Sequence, residues 1–549
     1  MSDLQVTAAA PRPITPSLPE GEGLPQGMGR FGPRWLISVA VLGLIVIFGI
    51  FAYAQQRIHG DIVTGMRTVG DGGVAWGLYI SFYVIFIGFA FGGIAVTTLA
   101  HLFHLRRLYP ITRLADMVAV VSVICAAICI MADLGRPMAG LINLPLYAQT
   151  ASPFFGSFTL IIGADFLASI IYEFLEGRAD AAVLATRTKR FGWIYRLWAT
   201  GWKNTTQERR RRRRVDFWLS LVMFLLLLAA YSTLGFIFGI QGGRPGWFSA
   251  LAAPRFVVLA GVSGIGLVIA VSGAARWLMN LEEVITEKTF KWLGNALWIG
   301  IAIYLYLLVV EELTARYAAD SAQTLVAQAT TSGPYAPLFW IVVGTLVVPA
   351  AVLFVQFLRK RTNVGLVVAA GLLVNVAAIL KRVLIVVPSQ THGQLLDYPI
   401  GVYNPTWVET GVVLGITSIG VLIFLFGIKV YPLVPLAEAR VLAAAPTARQ
   451  TRWRRVLRGT LFTITLLIGI VTCVIAFALS ARWGTEPYLD PLLPGAPVLF
   501  IVGIAICLGS AIVYELFPWS LPPSGHEAID PAADTVVPSA VDPAADPAT

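Results

Sequence analysis

Long runs without a charged side chain alternate with short charged segments along almost the whole chain. Positions 35–56, 72–105, 217–243, 256–275 and 292–310 hold no Asp, Glu, Lys or Arg, and neither do 321–358, 362–380, 410–428, 459–481 and 491–514. A helix that crosses a bilayer needs about 20 mostly apolar residues, and each of these runs is near or above that length. Two more apolar stretches, 112–132 and 152–175, read as spans although they carry Asp116 and Asp165. None shows sustained period-two alternation, so the elements are helices rather than barrel strands. The pattern predicts an all-α, polytopic transmembrane bundle of about twelve spans.

Composition agrees with this and redirects the reading of the charge. The chain is 57% hydrophobic and 13% charged, against about 25% charged residues in soluble proteins. The net charge of +10 is therefore judged by where the charges lie. With the N-terminus cytoplasmic, 31 of the 40 Lys and Arg residues fall on inner segments and 7 on outer ones. That is a positive-inside pattern, and an even number of spans puts both termini in the cytoplasm. The six arginines at 209–214 stand just before a span, where they suit anionic lipid headgroups better than nucleic acid.

The first 33 residues are rich in Pro and Gly and lack the pattern of a cleaved signal. The tail from 519 to 549 repeats Asp-Pro-Ala-Ala-Asp and has no Lys or Arg, a composition expected to be disordered. Between them lie a ten-span domain at 34–435 and two further spans at 436–518.

Several chemistries are excluded as the chain's own. The four cysteines, Cys125, Cys129, Cys473 and Cys507, form no Cys-x-x-Cys pair, so neither an iron–sulfur cluster nor structural zinc is expected. The histidines are His59, His101, His104, His392 and His526. None offers two facing ligands at membrane depth, so haem is not expected. No phosphate-binding G-x-x-x-x-G-K-[ST] loop occurs. Redox chemistry here must use groups borrowed from partners.

Ionisable groups at membrane depth are expensive and mark function by default. They gather near the outer ends of spans. The third span ends in Asp133-Leu134-Gly135-Arg136-Pro137, which is both a helix stop and, with Asp133 one turn from Arg136, a candidate acid–base pair. Ser152-Pro153-Phe154-Phe155-Gly156-Ser157 opens the fourth span; Glu311 and Glu312 end the seventh, and Tyr335-Ala336-Pro337 opens the eighth. This parallel predicts a duplicated four-helix unit, spans two to five against six to nine, and hence two four-helix bundles with peripheral helices. In the ninth span, Lys381 and Arg382 either snorkel outward or face the interior, where Glu409 at the start of the tenth span is a candidate partner. Asp165 belongs either to an inward proton path or to a set of satisfied hydroxyls. An acid and a base beside an apolar cavity suit quinone chemistry, which moves protons with electrons; a secondary transporter with a charged interior site and a passive anchor are alternatives.

Five motifs, in order, resemble the membrane subunits of the polysulfide reductase NrfD/PsrC family over about 34–435. They are Trp76-Gly77-Leu78-Tyr79-Ile80, Asp133-Leu134-Gly135-Arg136-Pro137, Ser152 to Ser157, Glu312 to Tyr317, and Tyr403-Asn404-Pro405-Thr406-Trp407-Val408-Glu409. The extra spans bring it nearest the ten-span branch of hydrogenase-type and quinone-reductase-complex subunits. The resemblance implies a bacterial inner-membrane subunit that binds menaquinone or ubiquinone near the outer face. It implies a partner carrying several 4Fe–4S clusters and a catalytic subunit, often a molybdopterin enzyme, with no activity expected of this chain alone. Carried over by motif, Asp133 exchanges the proton and Arg136 orients it, with Ser157 opposite. Trp76, Tyr79 and His59 are candidate wall or hydrogen-bonding residues. Some relatives have His at the position of Asp133 and Asp at that of Ser157. Here Asp133 would act alone or through Glu311, Glu312 or Glu409.

Overall fold

The structure is a computed structural model, and it describes residues 28–29, 31–68, 73–146, 158–188, 192–202, 206–279, 281–317, 321–392, 400–433 and 463–475, with scattered positions between 502 and 510. Among these the architecture is helical throughout. The helices are α1 (Pro33–His59), α2 (Leu78–Leu102), α3 (Thr112–Asp133), α4 (Pro137–Leu146), α5 (Phe158–Arg187), α6 (Gly192–Ala199) and α7 (Thr206–Gly239). They continue with α8 (Ala252–Leu278), α9 (Glu287–Tyr317), α10 (Ser321–Thr331), α11 (Ala336–Leu358), α12 (Val364–Val386), α13 (Pro388–Thr391) and α14 (Trp407–Val430). Nine of the described helices are long and apolar enough to cross a membrane. α5 is long enough as well, but its polar side chains keep it out of that set.

The helices close into two rings. In the first, α2 packs on α3, α3 on α5, α5 on α7 and α7 back on α2; in the second, α8 packs on α9, α9 on α11, α11 on α12 and α12 back on α8. These are the two four-helix units expected from the repeated motifs. α1 and α14 pack on each other and lean on the first ring through α3. The rings meet where α2 crosses α8, and the contact is between glycines: a Cβ on Gly92 would collide with the Gly264 backbone, and the reverse holds for Gly264. Lipid supplies no hydrophobic drive between helices, so close backbone approach at small residues takes its place. Gly49 and Gly415 do the same for α1 and α14, where an added Cβ on Gly49 would sit 2.7 Å from the Gly415 Cα.

The sequence boundaries shift in three places. The stretch after Asp133 holds a ten-residue helix, α4, rather than a loop. The fourth span runs on to Arg187 instead of ending near 175. Of the arginine run, Arg211 is buried and Arg212 lies 3.6 Å from Asp216, so those two side chains turn into the protein and not toward headgroups. The eleventh span appears only as Thr463–Ile475, and most of the twelfth lies outside the described residues.

Candidate functional site

The two ends of α14 mark the two ends of the bundle, with Glu409 in the first turn and Tyr431 at the cap of the last. At the Glu409 end, α1 stops at Gly60 and a short 3-10 turn, Asp61–Thr64, folds the chain back. Gly65 then takes a φ of +86°, and a Cβ there would lie 2.5 Å from the Asn404 carbonyl oxygen. Only glycine suits that position. The Thr406 hydroxyl donates to the Val63 carbonyl at 2.6 Å, so the turn after α1 is tied to the segment before α14.

This frame presents a continuous polar network. The Gln56 amide nitrogen donates to Asp61 at 2.9 Å and to the Ala132 carbonyl at 3.2 Å, while its carbonyl accepts the Tyr79 hydroxyl at 2.8 Å. Arg67 holds the other Asp61 oxygen at 2.6 Å. The Tyr403 hydroxyl donates to Glu409 Oε2 at 2.5 Å, and the Leu78 backbone N–H donates to Glu409 Oε1 at 2.6 Å. Burial and the Glu409 charge push the Tyr403 phenol well above its usual range, so it remains a donor. Beside these groups, at the last residue of α3, Asp133 Oδ1 is buried and has no hydrogen-bond partner among the described residues. A buried acceptor left open costs about 1–3 kcal/mol, which a ligand donor would recover.

The structure gathers some of the expected residues and separates others. Tyr79 and Glu409 lie in this network, and Asp133 lies beside it. Arg136 does not: it is exposed and makes no ion pair with Asp133 among the described residues. The helical spacing that would align the two ends with α3, because Leu134 is extended (φ −74°, ψ 122°). His59 is exposed at the end of α1. Trp76 faces the second ring, stacked on Trp247 at 5.6 Å, with its backbone N–H and C=O held by Gln390. Ser157 and its motif lie outside the described residues.

Lys381 and Arg382 are buried, so they do not snorkel, and their acid is not Glu409. For Lys381, Glu311 takes that role, 3.5 Å from its Nζ and ion-paired to Arg255 as well. Glu409 is already engaged by Tyr403 and Leu78 across the other ring. The Arg382 guanidinium lies over the Phe256 ring at 4.7 Å, and both its terminal nitrogens lack hydrogen-bond partners among the described residues. Glu312 adds a buried oxygen without a partner among those residues. This cationic cluster occupies, in the second ring, the end that Asp133 occupies in the first.

At the Tyr431 end the acids dominate. Arg113 is ion-paired to Asp180 and lies 3.4 Å from Glu176, and the Tyr431 hydroxyl donates to Glu173 at 2.8 Å. Both Asp116 oxygens are buried without partners among the described residues. Asp165 sits further along α5 toward the other end, 4% exposed, with its Oδ1 likewise unpartnered; the Ser169 hydroxyl donates to its backbone carbonyl and not to its carboxylate. Gln56, Asp61, Arg67 and the acids at 173, 176 and 180 were not singled out from the sequence. The spacing of Asp165, Glu173, Glu176 and Asp180 at intervals of 8, 3 and 4 is a one-face helical signal that would have found the acids.

The described residues form a polytopic helical bundle with ionisable clusters at both ends of its first ring, and sequence comparison places that bundle in a family. Residues 68–393 match the family described as Polysulphide reductase, NrfD, and the chain belongs to that family. It is 30% identical over 432 residues to a protein of Halobacterium salinarum named as a membrane subunit of dimethyl sulfoxide reductase, covering 74% of this chain and 92% of that one. It is 26% identical to a selenate reductase subunit of Mesobacillus selenatarsenatis, covering 72% and 93%. It is 23% identical to the Hdr-like menaquinol oxidoreductase integral membrane subunit of Archaeoglobus fulgidus, covering 73% and 94%.

Proposed function

We propose that this chain is the quinone-binding membrane subunit of a respiratory oxidoreductase complex in a bacterial inner membrane. It exchanges electrons with an iron–sulfur partner that serves a molybdopterin or other catalytic subunit. The observation that carries the reading is the open, buried Asp133 Oδ1 beside the Tyr79–Gln56–Asp61 network. A quinol hydroxyl fits that acceptor, and menaquinol or ubiquinol would supply a pair of electrons and two protons. The relatives named for reductases and for menaquinol oxidation point the same way.

The chain's own residues handle the proton and the position of the ligand. Asp133 accepts a hydrogen bond and then a proton. Gln56 holds the Tyr79 hydroxyl, Asp61 and the end of α3 in one geometry, so the acceptor is in place before the ligand arrives. The half-exposed Arg67–Asp61 pair gives the proton a polar exit at this end, which the distribution of basic residues makes the outer face. Asp165 and the acids below it on α5 form the opposite route, toward the inner face. Among the described residues the nine apolar helices run without interruption from end to end, unlike the broken helices of a transporter.

The test is purification in mild detergent from the native host, with binding of a quinone analogue measured on the complex. Co-purification of an iron–sulfur protein, together with binding that is lost in Asp133→Asn, supports the reading. A partner-free chain that moves a solute and ignores quinones would refute it.

A further inference from the structure

One cavity lies far from Asp133. It has a volume of about 590 Å³ and lies at the Tyr431 end, between α3, α5, α6 and α14. Glu409 and Tyr431 are 22 residues apart on α14, or about 33 Å at 1.5 Å per residue, close to the thickness of a bilayer core. The walls are apolar, formed by residues such as Met117, Ile170, Leu197 and Ile423. Ile170, Leu197 and Val430 are exposed, so the cavity opens at the surface of the bundle among side chains suited to lipid.

The polar feature of the cavity is the hydrogen-bonded pair Tyr431 and Glu173. A carboxyl group offers several acceptor positions, and the Tyr431 hydroxyl uses one of them at Oε2. The surroundings decide which ligand can take another. Glu176, Asp180 and Asp116 lie behind Glu173, with Arg113 already committed to Asp180 and Glu176 and lying 5.5 Å from the Tyr431 ring. A phosphate headgroup would meet this excess of acid and be repelled. A neutral head that donates a hydroxyl, on an apolar isoprenoid body, meets no such penalty. The volume falls within the range of about 300–1,000 Å³ typical of small-molecule sites.

From this juxtaposition we propose a second amphiphile site at the Tyr431 end, which takes a quinol through a hydrogen bond to Glu173. The identity of the ligand rests on the quinone reading above, but the site does not depend on Asp133. No electron transfer is assigned to it. Occupancy would place a reservoir molecule at the opposite membrane face from the first site.

The complex in mild detergent is irradiated with an azidoquinone photoprobe, and the labelled peptides are mapped. Labelling is expected in two groups, one around 56–79, 133 and 403–409 and the other around 170–174, 194–198 and 427–431. Leu197→Trp, which fills the rim from an exposed position, should lower the second group about tenfold and leave the first unchanged. Glu173→Gln should weaken protection of the second group by added quinol. Label confined to the first group overturns the proposal. So does second-group label that excess phospholipid displaces and quinol does not, which would make this a lipid site. Second-group label without first-group label supports this site while refuting the assignment of Asp133.

Discussion

The Glu409 carboxylate accepts the backbone N–H of Leu78, the first residue of α2, at 2.6 Å. A side chain 331 residues away in sequence thus caps a transmembrane helix whose own N-cap residue, Gly77, has no side chain to do so. The N-terminal turn of a helix carries open donors and about half a positive charge, and here one acid satisfies both. The same carboxylate takes the Tyr403 hydroxyl, so α14, α2 and the preceding loop are locked at one point.

Glu409→Ala should therefore cost stability before it costs chemistry. Loss of a cap, together with a buried hydroxyl left open, amounts to about 2–4 kcal/mol. Glu409→Gln keeps an oxygen for the Leu78 N–H and can donate its amide N–H to the Tyr403 hydroxyl, and should stay within about 1.5 kcal/mol. Thermal unfolding of the detergent-solubilised complex distinguishes them, and equal losses in both variants would show that the charge, not the cap, matters.

Asp133→Asn should lower quinol oxidation about 100-fold, in line with the loss of a positioned proton acceptor. Arg136→Ala should leave it within about twofold, because Arg136 is exposed and does not pair with Asp133. Steady-state kinetics with a soluble quinol analogue read both, and a large effect at Arg136 would restore the acid–base pair suggested by its spacing.

Glu311→Gln leaves Arg255 and Lys381 buried without their shared acid. Breaking a buried pair this way costs about 3–5 kcal/mol. Arg382→Met removes a guanidinium with no acid partner among the described residues and loses its contact with Phe256, worth about 2 kcal/mol. The ordering of the two melting temperatures is the prediction, with Glu311→Gln the lower.

Asp165→Asn should abolish voltage generation by complexes reconstituted in vesicles while quinol oxidation continues. Potential-sensitive dye fluorescence alongside turnover measures both. Voltage unchanged at equal turnover would remove Asp165 from any inward route.

The helical bundle, the doubled unit and the prominence of Asp133 and Glu409 were legible because charge is rare enough in this chain to stand out. The partners of those residues were not. Lys381 and Glu409 share a depth, and sequence alone offers them to each other, yet they belong to different parts of the bundle and Lys381 meets Glu311 instead. Asp133 and Arg136 read as one helical turn until the extended Leu134 separates them. Gln56 is uncharged and close to the end of a span, so nothing in its surroundings announced a group that joins α1, α2 and α3. Glu173, Glu176 and Asp180 were hidden by the opposite error, since a span ending near 175 left the last two in solvent.

α2 and α8, which cross at Gly92 and Gly264, are each the opening helix of a ring, so the two halves touch through corresponding elements. Four spans is an even number, and both halves therefore enter and leave the membrane on the same side, as parallel repeats do. This is the geometry of a twofold dimer whose subunits have been joined end to end. The corresponding helix ends carry acids in both halves, but buried cations close on Glu311 in one, while in the other Asp133 Oδ1 stays without a partner among the described residues.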